Sequence, residues 1–379
     1  MRVFQVIEAS SNTVLAANQT WRRNLYETLV DMGVEVVLFP AEEGRKALDQ
    51  ASPELRAAFS QKLLDAFRRE HSRQPFDLVF TYLMDGMVDL TALDELRRSG
   101  VPLCNFSCNN IHQFDLVDEI SPHVDYCLHA ERDAREKFLA EGANPLWWPM
   151  ASNPRYFKPY PLERSIPVSF VGANYALRAR YIHFLLSCGI ETHAYGPGWQ
   201  YGTNTAWRSL AKRAKYLLRS AFSGSAEAQY HASANLAEHD FRRMLARRFP
   251  NNLHPPVTDE ELILLYSRSQ ISLGFLEVYE GHDASLPVTR HVHLREFEAP
   301  MSGALYCTGY SDELAGYFEP DREILVYRTE EELVEKAQYY LAHAQEAEAI
   351  RQAGRQRALR DHTYQRRFEQ LFTALGLHP

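Results

Sequence analysis

The chain has 379 residues, 45% of them apolar and 24% charged, which is ordinary globular composition with material for two domains. Its formal charge of −8 excludes a general nucleic-acid binder, whose phosphate contacts need a basic surface. The longest apolar runs, 34–39 and 76–84, fall far short of the roughly 20 residues that cross a bilayer, and the opening MRVFQVIEAS lacks the blocks of a signal peptide. A cytoplasmic location is expected.

In chain order, the first half alternates β-rich runs with helical periodicity, the pattern of βαβ units and a parallel sheet. Strands are predicted at 3–9, 34–39, 76–83, 101–106 and 125–130. Between them, residues 18–32 place Trp21, Leu25, Leu29 and Met32 on one helical face and stop at Gly33, while 53–71 repeat the pattern with Leu55, Phe59, Leu63 and Phe67 until Pro75 ends it. Five cysteines (Cys104, Cys108, Cys127, Cys188, Cys307) are scattered and odd in number, which fits reduced thiols. Cys104 and Cys108 form a C-x3-C pair with no second pair at zinc spacing, so no metal site is expected there. Periodicity then collapses in WWPMASNPRYFKPYPLERSIP, which divides the chain into residues 1–155 and 156–362, with the last helix, 363–379, free to pack back on the first part.

The alternation resumes as strand, Gly/Asn turn and helix in PVSFVGANYALRARYIHFLLSCG, and a further strand and turn in IETHAYGPGW. Gly172 lets a ligand approach the backbone, Asn174 can turn the chain, and a helix starting near Ala176 would aim free N–H groups at a phosphate, with Arg178 or Arg180 adding charge. A basic insertion follows at about 200–255. Between residues 200 and 250 it carries nine Lys or Arg against three acids, and Trp207, Leu210, Ala214, Leu217 and Phe222 recur at helical spacing. That amphipathic pattern suits peripheral contact with an anionic membrane through 206–222, and equally a helix packed on its own domain, the preferred reading. Next come a helix in TDEELILLYSRS, a strand ISLGFLE, a loop from 278 to about 290, the segment REFEAPMSG, strands ALYCTG and EILVY, two long helices and a last one from Thr363 to about Leu375. The two halves read as Rossmann-like α/β domains with parallel sheets facing across a cleft, and ligands in such sheets gather at the carboxyl ends of the strands. The small residues after Glu298 would let a flat ligand lie near the backbone, and a carboxylate there can accept both hydroxyls of a vicinal diol.

These residues carry a resemblance. Arg295, Phe297 to Pro300 and Gly303, then Phe318 to Pro320, then His362 to Tyr364 with Arg367, resemble the R-x-F-E-A-P-x-x-G block, F-E-P turn and terminal H-T-Y-x-x-R of CgeB-like glycosyltransferases, a branch of the GT-B group with a group 1 type C-terminal domain. The likeness covers roughly 75–375 apart from the insertion. It implies a metal-independent, retaining transfer of a sugar from a nucleotide-diphosphate sugar to an acceptor hydroxyl, with no cofactor beyond the donor. It also implies an acceptor-binding first domain and a donor-binding second one. By position, Glu298, with Ala299 and Pro300, matches the ribose-binding segment. Gly172, Ala173, Asn174 and Arg178 match the turn that faces the diphosphate, with Gly196 in the neighbouring turn, and Arg295 is a counter-charge for the leaving group. Many retaining relatives have another glutamate eight residues before the ribose one; here Arg290 stands there, followed by His291 and His293. Either Arg290 and His293 grip the sugar differently, or Glu280 and Asp283 provide the carboxylate. In the first half, Asn109, Asn110 and His112 follow the fourth strand, and Asp85 follows the third. Relatives often have an aspartate where Asn109 or Asn110 stands, so His112 is the candidate base or orienting group. The acceptor is open: glycan, lipid, protein or small metabolite. A nucleotide-sugar epimerase or hydrolase on the same scaffold, or a non-catalytic sugar-binding protein, are the alternatives.

Overall fold

Strands covered on both faces need no polar alternation, and RVFQVI is buried along its whole length. The computed structural model describes residues 1–9, 16–200, 211, 213–215, 217, 218, 225–279 and 284–377, and they form two units, 1–156 with 361–379, and 157–360. Most of 206–222, and Glu280 and Asp283 with them, lie outside the described residues.

The first unit is a six-stranded parallel sheet of β1 (Arg2–Ile7), β2 (Glu35–Pro40), β3 (Leu78–Thr81), β4 (Leu103–Ser107), β5 (Tyr126–His129) and β6 (Pro145–Trp147), in the order β2-β1-β3-β4-β5-β6. Helix Pro53–Arg73 starts where Ser52 Oγ accepts the Leu55 N–H at 3.3 Å and Pro53 fills the first turn, a position that has no N–H to satisfy. It buries Phe59, Leu63 and Phe67 in a core shared with Phe4, Phe76 and Leu93. The predicted 18–32 helix is interrupted. Residues Arg22–Tyr26 widen into a π-helical turn between Ala16–Trp21 and Glu27–Asp31, and Gly33 ends it at φ +77°. Strand β6 was not predicted, because three residues opening on a proline carry almost no pattern.

The C-terminal helix, Tyr364–Leu375, belongs to this unit. Arg367 explains the terminal H-T-Y-x-x-R run: its buried guanidinium donates to the carbonyls of Pro149 at 2.9 Å, Asp361 at 3.0 Å and Met150 at 3.4 Å. The Trp148 indole donates in turn to the Arg367 carbonyl at 2.8 Å, and Phe368 packs on Phe80.

The second unit repeats the architecture with β7 (Ile166–Val171), β8 (Thr192–Tyr195), β9 (Leu253–His254), β10 (Ser269–Leu273), β11 (Glu277–Tyr279), β12 (Val288–Arg290), β13 (Tyr306–Gly309) and β14 (Leu325–Tyr327). Six of these form a parallel sheet in the order β14-β13-β10-β7-β8-β9, while β11 and β12 pair antiparallel. Two expectations are corrected here. ISLGFLE is two strands broken at Gly274, where an added Cβ would fall 2.0 Å from the Tyr306 hydroxyl, and the expected loop from 278 to 290 begins and ends in strand, with β11 pairing β12. Both sheets change winding direction, the first between β1 and β3 and the second between β7 and β10, and the loops after those strands are where an open sheet accepts ligand.

The basic region is anchored in its own unit. Helix Ala226–Arg248, not foreseen as a single element, is fastened by buried Glu238, which pairs with Arg242 at 2.9 Å and Arg180 at 3.5 Å. Arg213 grips Asp240 through two nitrogens. Among the described residues no helix is long and apolar enough to cross a membrane.

Candidate functional site

In the second unit, the turns after β7 and β8 are built as one piece. Gly196 sits at φ +143°, and a Cβ there would lie 2.2 Å from the Gly172 carbonyl oxygen, so only glycine allows the turns to meet. The Trp199 indole donates to that oxygen at 2.7 Å, and Asn174 Nδ2 donates to the Gly198 carbonyl at 3.1 Å. Phosphate-facing amides are expected from the Gly172 turn, but two of them are already engaged: Gly172 N–H bonds Tyr195 O and Asn174 N–H bonds Pro197 O, each at 2.8 Å. Helix Arg178–Ser187 begins two residues later than expected, after Ala176 in a left-handed conformation at φ +49°. Arg178 is buried against the turn, donating to the Ala173 carbonyl at 3.0 Å and the Tyr175 hydroxyl at 2.6 Å, with its guanidinium 3.7 Å from the Tyr175 ring centroid. Burial lowers its pKa. Gly172, Ala173, Asn174, Arg178 and Gly196 therefore come together, but as a rigid floor; the buried Asn174 Oδ1 is left without a partner there.

The REFEAPM segment is a short helix, Arg295–Met301. Two of its acids point inward and differ in company. Glu296 accepts the Tyr306 hydroxyl at 2.8 Å and the His293 N–H at 2.7 Å, which fixes the helix entry. Glu298 is only 4% exposed, and among the described residues its carboxylate accepts no hydrogen bond. Burial pushes it up to about 7, against the pull of Arg295 and with help from the negative charge of Asp259 and Glu296. Burial also works against the Arg295 charge, but Tyr266 and Glu298 outweigh it, and Arg295 stays a full cation. Ala299 and Pro300 are buried in the same helix; Pro300 has no N–H to return to Glu296, and the helix stops after Met301 with Gly303 at φ +74°.

Arg290 closes β12 opposite Glu277, whose buried carboxylate it meets at 3.2 Å. His291 and His293 follow with ring centroids 3.9 Å apart. Glu277 and Glu296 were missed in the sequence. The available signal was an acid inside an apolar run, FLEVY, since an acid there is buried only when paired.

In the first unit, Asn109 stands at φ +63° directly after β4 and Cys108, donating to Gln113 Oε1 at 3.2 Å. Its carbonyl accepts the N–H groups of His112 and Gln113, so Asn109 shapes the turn that carries half-buried His112. Asn110 is buried on Ser107 Oγ at 2.9 Å. Ile111 is clamped at both ends of its residue, N–H to Glu131 Oε2 at 2.9 Å and carbonyl from Lys137 Nζ at 2.5 Å. Asp85 accepts the N–H groups of Glu119 and Ile120 at 3.1 and 2.8 Å, and burial with the adjacent Asp118 pushes it up to about 7. It staples two loops together. The cysteines are free thiols, and burial pushes Cys108 up to about 12.

Residues 208–373 match the family described as "Glycosyl transferase-like". No curated protein matches the sequence significantly. Among solved structures, the chain is similar to a sucrose-phosphate synthase from Thermosynechococcus elongatus, with TM-score 0.55, 14% identity and coverage of 98% of this chain and 99% of that one. It is similar to a glycosyltransferase from Rickettsia africae, with TM-score 0.57, 11% identity and coverage of 99% and 97%. It is also similar to Anabaena Alr3699/HepE in complex with UDP, with TM-score 0.56, 10% identity and coverage of 99% and 100%. Identities this low establish the fold, and the fold is GT-B. The chain is an α/β protein of GT-B fold whose residues 208–373 match a glycosyl transferase-like family.

Proposed function

We propose that this chain moves a sugar from a nucleotide-diphosphate sugar to an acceptor hydroxyl, without a metal and with retention at the anomeric carbon, as a member of the CgeB-like branch. The observation that carries the reading is Glu298: a buried carboxylate without a hydrogen bond, beside a charged arginine, at the position where the resemblance puts the ribose. The solved Anabaena relative was crystallised with UDP and with UDP-glucose, which supports a nucleotide-sugar donor here.

In this reading the second unit holds the donor. Glu298 accepts the two ribose hydroxyls, which supply the donors its carboxylate lacks. The nucleoside diphosphate leaves the anomeric carbon with negative charge on its phosphate oxygen. Arg295 stabilises that charge from a fixed position, and the Gly172 and Gly196 floor keeps Arg178 and the helix behind it in place. The first unit receives the acceptor, with His112 orienting or deprotonating the hydroxyl and Asn109 setting its loop. Arg290 and His293 contact the sugar.

A thermal-shift panel of UDP, GDP, ADP and dTDP sugars tests this directly. At least one should raise the melting temperature, and that compound should then lose its sugar to an acceptor with release of the nucleotide. Stabilisation by none of them, or conversion of the donor to an isomer with no acceptor present, would defeat the assignment.

A further inference from the structure

Two guanidinium groups meet around Tyr310, at the carboxyl edge of the second sheet. Arg290 and Glu277 are register partners in the β11–β12 ribbon. Glu277 is 2% exposed and uses one oxygen, Oε1, for both Arg290 Nε at 3.2 Å and the Tyr181 hydroxyl at 3.3 Å, leaving Oε2 buried without a partner. Arg290 Nη1 reaches the Tyr310 carbonyl at 3.4 Å, yet its side chain remains 42% exposed, and Nη2 makes no hydrogen bond among the described residues. From the next strand end, the Arg328 guanidinium lies 3.8 Å from the Tyr310 ring centroid. Arg328 is exposed and forms no ion pair among the described residues. Asp312 holds the Tyr310 hydroxyl at 2.9 Å, and Glu332 accepts the Arg328 N–H at 2.8 Å, so the acids nearby hold the frame in place.

A guanidinium oriented from behind by a buried carboxylate has lost most of its freedom before any ligand arrives, and its planar edge suits a carboxylate. Position separates this pair from the diphosphate. Strands β13 and β14 lie two and three places from β7 in the sheet order, roughly 10 and 14 Å at the usual strand spacing. That is beyond a phosphate held near the Gly172 turn and within reach of a substituent on the sugar.

We propose that Arg290 and Arg328 form an anion-recognising site for an acidic substituent on the donor sugar, so that the donor class is a nucleoside diphosphate carrying a hexuronate-type sugar. This rests on the second unit being the donor unit. The test is calorimetry on the full chain with UDP-glucose against UDP-glucuronate and GDP-mannose against GDP-mannuronate, with free UDP and GDP as references. In one of these pairs the acidic sugar should bind about tenfold or more tightly than the neutral one. Arg290→Gln and Arg328→Gln should each remove most of that preference while affinity for the free nucleotide stays within about twofold. Arg328→Gln leaves Glu277 paired, so it reports even where Arg290→Gln destabilises the ribbon. Equal affinity for acidic and neutral sugars, or a preference that survives both substitutions, overturns the inference alone. Failure of both UDP and GDP to bind overturns the donor reading beneath it.

Discussion

Replacing Glu298 by glutamine tests whether a donor-binding carboxylate is being held at a cost to stability. In the folded chain the group rises from its ordinary 4.5 to about 7, a gap equivalent to about 3 kcal/mol of differential ionisation free energy. The sign follows from proton binding. Between pH 4.5 and 7 the folded state holds this proton more tightly than the unfolded state does, so the group's contribution to stability falls as pH rises through that window and its full penalty is present above it. Glutamine has the same shape and no charge. Glu298→Gln should therefore match the native chain near pH 4.5 and be more stable at pH 8 by up to about 3 kcal/mol, a melting-point gain of about 7 °C for a cooperative unit of roughly 200 residues. Differential scanning fluorimetry from pH 4.5 to 8.5 on both proteins provides the comparison. Parallel profiles, with no gain appearing above pH 7, would refute the claim that burial of Glu298 outweighs the pull of Arg295.

Gly196→Ala should be severe, because its Cβ would meet the Gly172 carbonyl and the backbone already stands at φ +143°; a loss of about 2 kcal/mol or more by urea titration is expected, with donor binding lost in parallel. Arg367→Met leaves three carbonyls without their buried donor, and should destabilise the first unit by about 3 kcal/mol, seen as loss of protection of the Tyr364–Leu375 amides in hydrogen exchange. His112→Asn should lower kcat by about a hundredfold or more while leaving donor affinity within twofold. Arg295→Gln removes a fixed positive charge and should cost about 3 kcal/mol of transition-state stabilisation, read as kcat/KM.

Hydrophobic patterning made most of the architecture legible. Runs such as RVFQVI and PVSFVG are apolar because helices cover both faces of a parallel sheet, and that burial survives in the sequence as a continuous run. What escaped was structure made by pairing or by short range geometry. Strand β6 has three residues, β9 has two, and the β11–β12 ribbon depends on Glu277 and Arg290 meeting across it, which spacing cannot reveal. The π-helical turn at Arg22–Tyr26 leaves the 3.6-residue pattern nearly intact, so it too was silent. Among the candidate site residues, Glu298 is proposed from the family resemblance and the Gly172 turn from its Gly/Asn composition. The occupation of Gly172 and Asn174 N–H by the neighbouring turn could not be read there, because it depends on how closely Gly196 lets two loops approach. Charge in an apolar run was the underused signal at Glu277, in FLEVY, whereas Glu131 and Glu296 stand among other charged residues; all three are buried, and each fixes a loop or ribbon next to a candidate site residue.

The most direct measurement is calorimetric titration of the native chain and of Glu298→Ala with the nucleoside diphosphate selected by the panel. The native chain should bind it at micromolar concentrations, and the variant, lacking both carboxylate oxygens, should bind at least about thirtyfold more weakly while its fold is retained. Equal affinities in the two proteins would contradict the assignment of Glu298 to the nucleotide's sugar.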